Sequence, residues 1–208
     1  MNFYSIVSKV YDLLDITYFS EKGKNPRNII QSYVSIEKCR ILDLCCGTFS
    51  NGFNIAKKNE HCKIMGVDIS EKMLGVANRK IKKAGLNNVY LKKADATNTK
   101  LPDKSFDYII IGLVLHECSP ELREGILKEA YRVLKDNGKM IILEWEKPES
   151  LMRRIMYAPL YVAEIMNCEA FKQFFECNKK DFFEKYNFKT LEEQHCNYST
   201  VMLLEKLQ

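Results

Sequence analysis

Two hydrophobic periods alternate along this chain. Short apolar runs, which are typical of buried strands, occupy residues 40–44, 62–67, 89–93, 106–115 and 139–145. Between these runs, apolar residues recur at helical spacing, and the segment that begins at Ser70 keeps this pattern until Gly85 ends it. A later helix is predicted to begin at Ser119 and Pro120 and to end at the turn Asp136-Asn137-Gly138. Because strand and helix alternate five times, the pattern predicts a parallel sheet with helices on both of its faces.

The two ends of the chain depart from this alternation. Residues 1–15 have apolar positions at helical spacing, which predicts an amphipathic helix and not an export signal. A second helix is predicted to begin at Asn25 and Pro26, a capping residue followed by a residue that suits the first helical position.

The C-terminal third predicts a different architecture from the core. Residues 151–177 are rich in Met and aromatic side chains and predict helices that break at Pro159. Residues 188–196 and 198–206 predict two strands that pair as an antiparallel hairpin at the sheet edge. The chain is therefore predicted to be one α/β domain with a doubly wound, mostly parallel, seven-stranded sheet.

Composition narrows the class of protein. The chain has 208 residues, of which 46% are hydrophobic and 28% charged, as is ordinary for a soluble globular protein. The net charge of +5 is mild, and the lysines come in scattered pairs, which indicate solvated faces and not a track for nucleic acid. The longest apolar run, residues 108–115, is far shorter than the ~18 residues that span a membrane. We therefore expect a cytoplasmic protein without a transmembrane segment or a nucleic-acid partner.

The eight cysteines are expected to be reduced. Their spacing contains no C-x-x-C pair and no repeated ligand pattern. The sequence therefore predicts no structural metal site.

Acidic residues end three of the predicted strands, at Asp43, Asp68 and Asp95. In an open parallel sheet, ligands bind beyond the carboxyl ends of the strands. Unpaired acids at this edge are costly, so we expect them to accept hydrogen bonds from a ligand. An acid that ends the second strand, as Asp68 does, is suited to accept from ribose hydroxyls.

The loop after the first strand is unusual for a nucleotide-binding turn. It belongs to the stretch ILDLCCGTFSNGF, in which Cys45 and Phe49 stand where a dinucleotide-binding loop would have glycine. Gly47 allows the backbone to approach a ligand closely, but a pyrophosphate would not fit easily against Phe49. The loop therefore disfavours NAD and FAD and favours a ligand without phosphates.

Four segments together resemble the class I S-adenosylmethionine-dependent methyltransferases. ILDLCCGTF resembles the first motif of that family, hhDhGCGTG, and GVDISEKML resembles its second-strand acid motif. KADATNTKLPDKSFDYI and RVLKDNGKMIILEW resemble the segments that follow. YDLLDITYF and ILEWEKP look most like the small-molecule enzymes of menaquinone and ubiquinone biosynthesis and the phospholipid N-methyltransferases.

This resemblance implies a Rossmann-like methyltransferase fold and a division of the chain. Residues 1–38 would be an N-terminal helical cap, residues 39–147 the cofactor-binding core, residues 148–186 a helical lid or substrate region, and residues 187–208 the terminal hairpin. The reaction would be an in-line displacement from S-adenosylmethionine to a small-molecule acceptor, with S-adenosylhomocysteine as product.

The resemblance also implies roles around the cofactor. Asp43 would order the loop and the methionine amino group, and Asp68 would hold the ribose. The other implied contacts are Cys45, Cys46 and Gly47 in the loop, Ile69, Met73, Asp95 and Ala96 at the adenine, Tyr18 over the sulfonium, and Lys24 at the methionine carboxylate. Cys45 and Cys46 are expected to pack in the loop and not to bind a metal.

On the acceptor side, His116 is the candidate for a catalytic base or a substrate contact, with a histidine bonded to a neighbouring loop as the structural alternative. Tyr11, Glu144 and Trp145 are candidate substrate contacts. The expected acceptor is a hydrophobic quinol-, phenol- or lipid-like molecule, and the expected assembly is a monomer or homodimer.

Three alternatives stay open. A nucleic-acid methyltransferase is disfavoured because LHEC follows the fourth strand in place of Asn or Asp with Pro-Pro-aromatic. A thiol or arsenic methyltransferase could use Cys118, Cys168 and Cys177. A non-catalytic module that only binds S-adenosylmethionine is the third.

Overall fold

The computed structural model describes residues 18, 24–35, 37–167 and 169–207. Most of the N-terminal segment, including the predicted first helix and Tyr11, lies outside these residues. The strands are β1 (Arg40–Leu44), β2 (Lys63–Asp68), β3 (Val89–Lys93), β4 (Phe106–Gly112), β5 (Leu134–Trp145), β6 (Phe188–His195) and β7 (Ser199–Lys206). The helices are α1 (Pro26–Tyr33), α2 (Ser50–Lys58), α3 (Glu71–Lys83), α4 (Pro120–Val133), α5 (Leu151–Asn167), α6 (Glu169–Glu176) and α7 (Lys179–Glu184).

The strands of the described ranges form one seven-stranded sheet in the order β3-β2-β1-β4-β5-β7-β6. Strands β1 to β5 are parallel, whereas β7 is antiparallel to both β5 and β6. The predicted α/β fold and its terminal hairpin at the sheet edge are thereby confirmed. The strand order reverses between β1 and β4, so the segments that follow these two strands diverge and leave a crevice between them.

Short polar side chains begin the helices where the sequence predicts. Asn25 accepts a hydrogen bond from the backbone amide of Arg27, with Pro26 in the first turn of α1. Ser70 caps α3 by accepting from the amide of Met73, and Ser119 caps α4 in the same way. These caps satisfy amide groups that would otherwise lack partners, and so they fix the direction in which each helix leaves the strand ends.

The central strands are buried on both faces. Ile41, Leu42 and Leu44 of β1 are inaccessible to solvent, as are residues 109–111 of β4 and residues 140–143 of β5. Each apolar side chain of this kind contributes about 1.5–3 kcal/mol when it is fully buried. The strand ends that carry the acids are thus held on a rigid platform.

Two predicted boundaries are wrong. The turn expected at Asp136-Asn137-Gly138 lies inside β5, which begins at Leu134 directly after α4. Leu134 is buried and pairs with Phe106, and the ladder resumes at Lys139, so the pairing is irregular over residues 135–138, which stay within the strand. The fourth strand is also shorter than predicted, since β4 ends at Gly112.

Helix α5 runs through Pro159, where the sequence predicted a break. Proline removes one helical hydrogen bond, whose acceptor would be the carbonyl of Ile155. Both residues are exposed, so water can satisfy that carbonyl, and the rest of the helix is retained by its packing.

The expectation that all cysteines are reduced is also wrong for one pair. The structure joins Cys39 and Cys62 by a disulfide bond, with 4.7 Å between their Cα atoms. Arg40 pairs with Lys63 across β1 and β2, so the residues that precede these two strands are brought side by side. Sequence spacing alone does not reveal this contact, because it depends on strand register.

Candidate active site

A cavity of about 390 Å³ opens at the carboxyl ends of β1, β2 and β4. That volume is within the range of small-molecule sites. Predicted cofactor residues that line it are Cys45, Cys46, Gly47, Asp68, Ile69, Met73, Asp95 and Ala96. Eight residues chosen from a sequence pattern are therefore brought together around one crevice.

Asp68 organises the loop after β1. One of its carboxylate oxygens accepts a hydrogen bond from the amide of Gly47 at 2.8 Å, and the other accepts from the amide of Ser70 at 2.8 Å. A carboxylate has about four acceptor positions, so Asp68 can still accept from a ligand in the cavity. The same side chain therefore ties two loops together and faces the crevice.

The loop retains the backbone geometry of a glycine-rich turn. The φ angles are +59° at Cys45, +51° at Gly47 and +62° at Phe49, all in the left-handed region. This region costs a residue with a Cβ roughly 1–2 kcal/mol. Cys45 and Phe49 therefore adopt the backbone conformation that glycine favours, although they carry side chains.

Phe49 does not block the cavity. Its ring is fully buried and is not part of the cavity wall. The ring occupies space left by two other glycines: a Cβ at Gly52 would lie 2.4 Å from Cε2 of Phe49, and one at Gly66 would lie 3.2 Å from Cδ2. Phe49 is therefore a core side chain whose volume Gly52 and Gly66 accommodate.

Asp43 lies beneath the loop and is completely buried. One of its oxygens accepts from the amide of Gly52 at 3.0 Å, and the other has no hydrogen-bond partner among the described residues. Burial raises the pKa of Asp43 from 3.8 to about 7, although the Gly52 hydrogen bond and the charge of Arg27 oppose this shift. Because burial disfavours the ionised form of Asp43, a cationic group close to it would stabilise that form.

Asp95 is exposed at the far side of the cavity. Its Oδ1 accepts from the amide and the hydroxyl of Thr97, both at 2.8 Å, and these bonds lower the pKa of Asp95. The carboxylate is therefore ionised at neutral pH and held in one orientation beside Ala96.

The two loop cysteines are thiols and not thiolates. Burial raises the pKa of both Cys45 and Cys46, and the charge of Asp68 or Asp43 adds to this effect. Because the thiolate is the form that binds metals and attacks electrophiles, these side chains are inert packing groups.

The predicted residues His116, Glu144 and Trp145 do not line the cavity; they are buried behind it, where His116 pairs with Glu144. His116 lies in a 3₁₀ turn (Leu115–Glu117) after β4, and its Nδ1 is 2.6 Å from Oε2 of Glu144 at the end of β5. The other oxygen of Glu144 accepts from the amide of Leu115 at 2.9 Å. Burial alone would lower the pKa of His116, but Glu144, Glu117 and Glu164 together outweigh it and raise that pKa.

Aromatic rings enclose this pair. Phe171 and Trp145 lie 5.6 and 6.5 Å from the imidazole of His116, measured between ring centroids. Tyr18 packs edge-on against Trp145 at 5.9 Å and is part of this aromatic cluster and not of the cavity wall. Lys24 also lies outside the cavity wall. It is exposed, and its charge opposes the rise in the pKa of Cys196 that burial causes.

Comparison with known proteins assigns the chain to a family. The ubiE/COQ5 methyltransferase family matches residues 1–182. This chain belongs to the ubiE/COQ5 methyltransferase family. It is 33% identical over 178 residues to a demethylmenaquinone methyltransferase of Staphylococcus epidermidis, covering 85% of this chain and 71% of that protein. It is 32% identical over 153 residues to the same enzyme of Geobacillus kaustophilus, covering 73% and 64% of the two chains.

Solved structures share the fold. A SAM-dependent methyltransferase from Aquifex aeolicus superposes with a TM-score of 0.68 over 96% of each chain, at 20% identity. As a member of the ubiE/COQ5 methyltransferase family, the protein is an enzyme that transfers a methyl group from S-adenosylmethionine to a small molecule. None of its described helices is both long enough and apolar enough to cross a bilayer.

The cavity of this ubiE/COQ5 methyltransferase suits its methyl donor. S-adenosylmethionine has hydrogen-bond donors on its ribose, amino group and adenine, and it has no phosphate. The wall offers two carboxylates, Asp68 and Asp95, beside apolar surface from Ile69 and Met73. The unpartnered oxygen of Asp43 under the loop is a further acceptor suited to a cationic amine.

Sequence reasoning missed several residues of this wall, among them Arg27, Asn51 and Gly112, and one residue beside it. Arg27 of α1 lines the cavity and donates from Nη1 to Oδ1 of Asn51 at 2.9 Å. Gly112 leaves room for Asn51, since a Cβ there would lie 2.4 Å from Nδ2 of Asn51. Glu164 reaches His116 from α5. No local signal identifies these residues, because each contact joins segments that are distant in sequence.

Proposed function

We propose that this enzyme methylates a hydrophobic, quinol-like ring and that His116 is the catalytic base. The observation that carries the proposal is the buried His116–Glu144 pair, which sits inside an aromatic cluster next to the cavity. Glu117, which follows His116 directly, lines the cavity, whereas His116 itself is buried behind the wall.

The relatives support the class of acceptor. Those cited above are demethylmenaquinone methyltransferases, whose named acceptor contains a quinone ring. Trp145 and Phe171, whose rings neighbour His116, belong to a buried aromatic cluster with Tyr157 and Tyr198. Such a lining favours a flat apolar ring over a charged or strongly hydrated acceptor.

We assign the donor contacts by position around the crevice. Asp68 accepts from the ribose hydroxyls, and Asp95 with Ala96 holds the adenine, which packs against Ile69 and Met73. We assign the amino group of the methionine moiety to Asp43 and its carboxylate to Arg27, because Arg27 lines the cavity and Asp43 lies beneath the loop with one oxygen that has no partner among the described residues. Arg27 thereby takes the role that the sequence suggested for Lys24. S-adenosylmethionine supplies a methyl group on a sulfonium and leaves as S-adenosylhomocysteine.

The role of His116 follows from its hydrogen bond. When Nδ1 carries the proton and donates to Glu144, Nε2 of the neutral imidazole has the lone pair. Nε2 takes the proton of a ring hydroxyl as the acceptor attacks the methyl carbon, and the surrounding carboxylates stabilise the imidazolium that forms. The same carboxylates raise the pKa of His116, so activity should rise with pH through a value above 6.5.

The test is a binding titration followed by turnover of defined acceptors. S-adenosylmethionine should bind in a calorimeter whereas NAD should not. A naphthoquinol or phenol should be methylated faster than amines, lipids or thiols. His116→Gln should lower kcat about 10²–10⁴-fold while the affinity for S-adenosylmethionine stays unchanged. Unchanged kcat would exclude His116 as the base, and preference for an amine or thiol would exclude the acceptor class.

The cytoplasmic location, the monomer or homodimer, the absence of a metal and the division into cap, core, lid and hairpin remain predictions from the sequence.

A further inference from the structure

Helix α5 brings a second carboxylate to His116. Oε2 of Glu164 lies 3.9 Å from Nε2 of His116, and Oε1 of Glu117 lies 3.8 Å from the same nitrogen. Glu164 is mostly buried, with 14% of its side chain exposed. The side of the imidazole opposite Glu144 is therefore faced by groups that accept hydrogen bonds.

Tyr157, two turns earlier on α5, has a buried hydroxyl whose hydrogen bonding is not satisfied by the described residues. The residue is 3% exposed, and its Oη has no hydrogen-bond partner among the residues that the structure describes. The ring of Tyr157 lies 5.9 Å from that of Trp145, and Trp145 in turn lies 6.5 Å from the imidazole of His116, so Tyr157 belongs to the aromatic group beside the His116–Glu144 pair. A buried hydroxyl left without a partner costs about 1–3 kcal/mol, which favours a ligand that completes it.

The two side chains have complementary chemistry. The carboxylate of Glu164 accepts hydrogen bonds, and the phenol of Tyr157 can donate one. A hydroxyl group on a ligand both donates and accepts, so it can satisfy both side chains at once. A methoxy group or an unsubstituted ring cannot do so. The rings of Trp145 and Phe171 next to His116 supply flat apolar walls for the rest of such a ligand.

We propose that Glu164 and Tyr157 form, with His116, an acceptor subsite that recognises a hydroxyl group on an aromatic ring. The inference rests on the proposed function for the position of the transfer site, and it adds the residues that select the acceptor. Glu164 and Tyr157 both belong to α5, whereas His116 follows β4. The subsite therefore exists only when α5 is packed against the turn that carries His116.

A divalent cation is the competing occupant. The ligand atoms of His116, Glu117 and Glu164 all lie within 4.8 Å of one another. An acidic group of this kind also occurs without a metal, and a metal would not account for the unpartnered hydroxyl of Tyr157. The test therefore distinguishes binding of a metal ion from binding of a ligand hydroxyl.

The test measures acceptor binding without turnover. Enzyme saturated with S-adenosylhomocysteine is titrated calorimetrically with 1-naphthol and with 1-methoxynaphthalene, in buffer containing EDTA. We expect 1-naphthol to bind at least about tenfold more tightly, as is usual for one hydrogen bond to a charged group. Glu164→Gln and Tyr157→Phe should each remove most of this preference and leave the affinity for the ether unchanged.

Matched variants and a separate readout make the result decisive. Glu176→Gln and Tyr186→Phe, which change residues away from His116, should keep the full preference for 1-naphthol. Equal binding of the two ligands by the unchanged enzyme, or a full preference in both subsite variants, would overturn the proposal. A preference that appears only when Mn²⁺ replaces EDTA would also overturn it, in favour of a metal site. Failure to bind S-adenosylhomocysteine would instead count against the proposed function.

Discussion

The two sides of the crevice are built in different ways. On the side proposed for the methyl donor, carboxylates at strand ends accept hydrogen bonds from backbone amides of nearby loops, as Asp68 does from Gly47 and Ser70. On the acceptor side, side chains meet side chains across large sequence separations: His116 and Glu144 are 28 residues apart, and Glu164 comes from a separate helix.

This difference shows which changes each side tolerates. The donor side depends on the backbone conformation of the loop. Cys45 and Phe49 can therefore stand in place of glycine, because the ring of Phe49 has space beside Gly52 and Gly66. The acceptor side depends on specific side chains, so a single substitution there removes a contact that no backbone group replaces. The donor side is thus suited to binding one common molecule, and the acceptor side to selecting a particular one.

The largest expected effect tests the buried acid of the donor side. Between about pH 4 and 7 the folded protein keeps the proton of Asp43, whereas the unfolded chain loses it, so the free energy of unfolding falls as pH rises. A pKa raised from 3.8 to about 7 corresponds to roughly 4 kcal/mol over this window. Asp43→Asn should abolish this pH dependence of the free energy of unfolding, and the variant should be more stable than the unchanged protein at pH 8.

Urea unfolding of both proteins from pH 4 to pH 8 measures the difference. Asp181→Asn, at an exposed position on α7, is the control and should follow the unchanged protein. Parallel stability curves for Asp43→Asn and the unchanged protein would show that Asp43 is already ionised in the folded state.

The next effect separates the two sides directly. Asp68→Ala removes a carboxylate that accepts from two amides and faces the cavity, so we expect about a 100-fold loss of affinity for S-adenosylmethionine. Calorimetry measures it. Glu71→Ala, one turn away in an exposed pair with Lys93, should have little effect. Unchanged affinity in Asp68→Ala would reject the ribose assignment.

A smaller effect is expected on the acceptor side. Glu144→Gln should lower kcat about tenfold to 100-fold, because the imidazole loses the carboxylate that orients it. Since that carboxylate raises the pKa of His116, its loss should move the rise of kcat to lower pH. A pH profile of kcat measures both.

The chain offers a matched control for this variant. Glu146 pairs with His195 at 2.8 Å in an exposed position, so Glu146→Gln breaks a similar pair away from the crevice. It should change neither kcat nor the pH profile. Equal effects of the two substitutions would mean that the buried pair has no special role.

The smallest effect sharpens the view of the loop. Cys45→Gly should remove the strain of a residue with a Cβ in the left-handed conformation and so raise the free energy of unfolding by about 1 kcal/mol. The affinity for S-adenosylmethionine should be unchanged. Thermal or urea unfolding measures it. Phe49→Gly relieves the same strain but deletes a fully buried ring, so it should be destabilising. Destabilisation by Cys45→Gly would show that the thiol is needed for packing.

Local patterns predicted much of this protein. The order of strands and helices, the caps at Asn25, Ser70 and Ser119, and the eight loop and strand-end residues around the cavity were all read from spacing or family resemblance. They could be predicted because each depends on a few neighbouring residues. The wrong boundaries at β5 and Pro159 arose where tertiary packing outweighed a local turn or break signal.

The sequence by itself determined the fold class, the family and eight of the residues that line the cavity, since these depend on short-range periodicity and on motifs of a few residues. Only the tertiary structure decided that Phe49 turns into the core, that Cys39 meets Cys62, and that Arg27 reaches the cavity. It also decided that Glu144 and Glu164 meet His116, with Tyr157 packed against the neighbouring Trp145. These contacts join residues that are distant in sequence. They depend on strand order, register and helix packing, which hydrophobic periodicity does not specify.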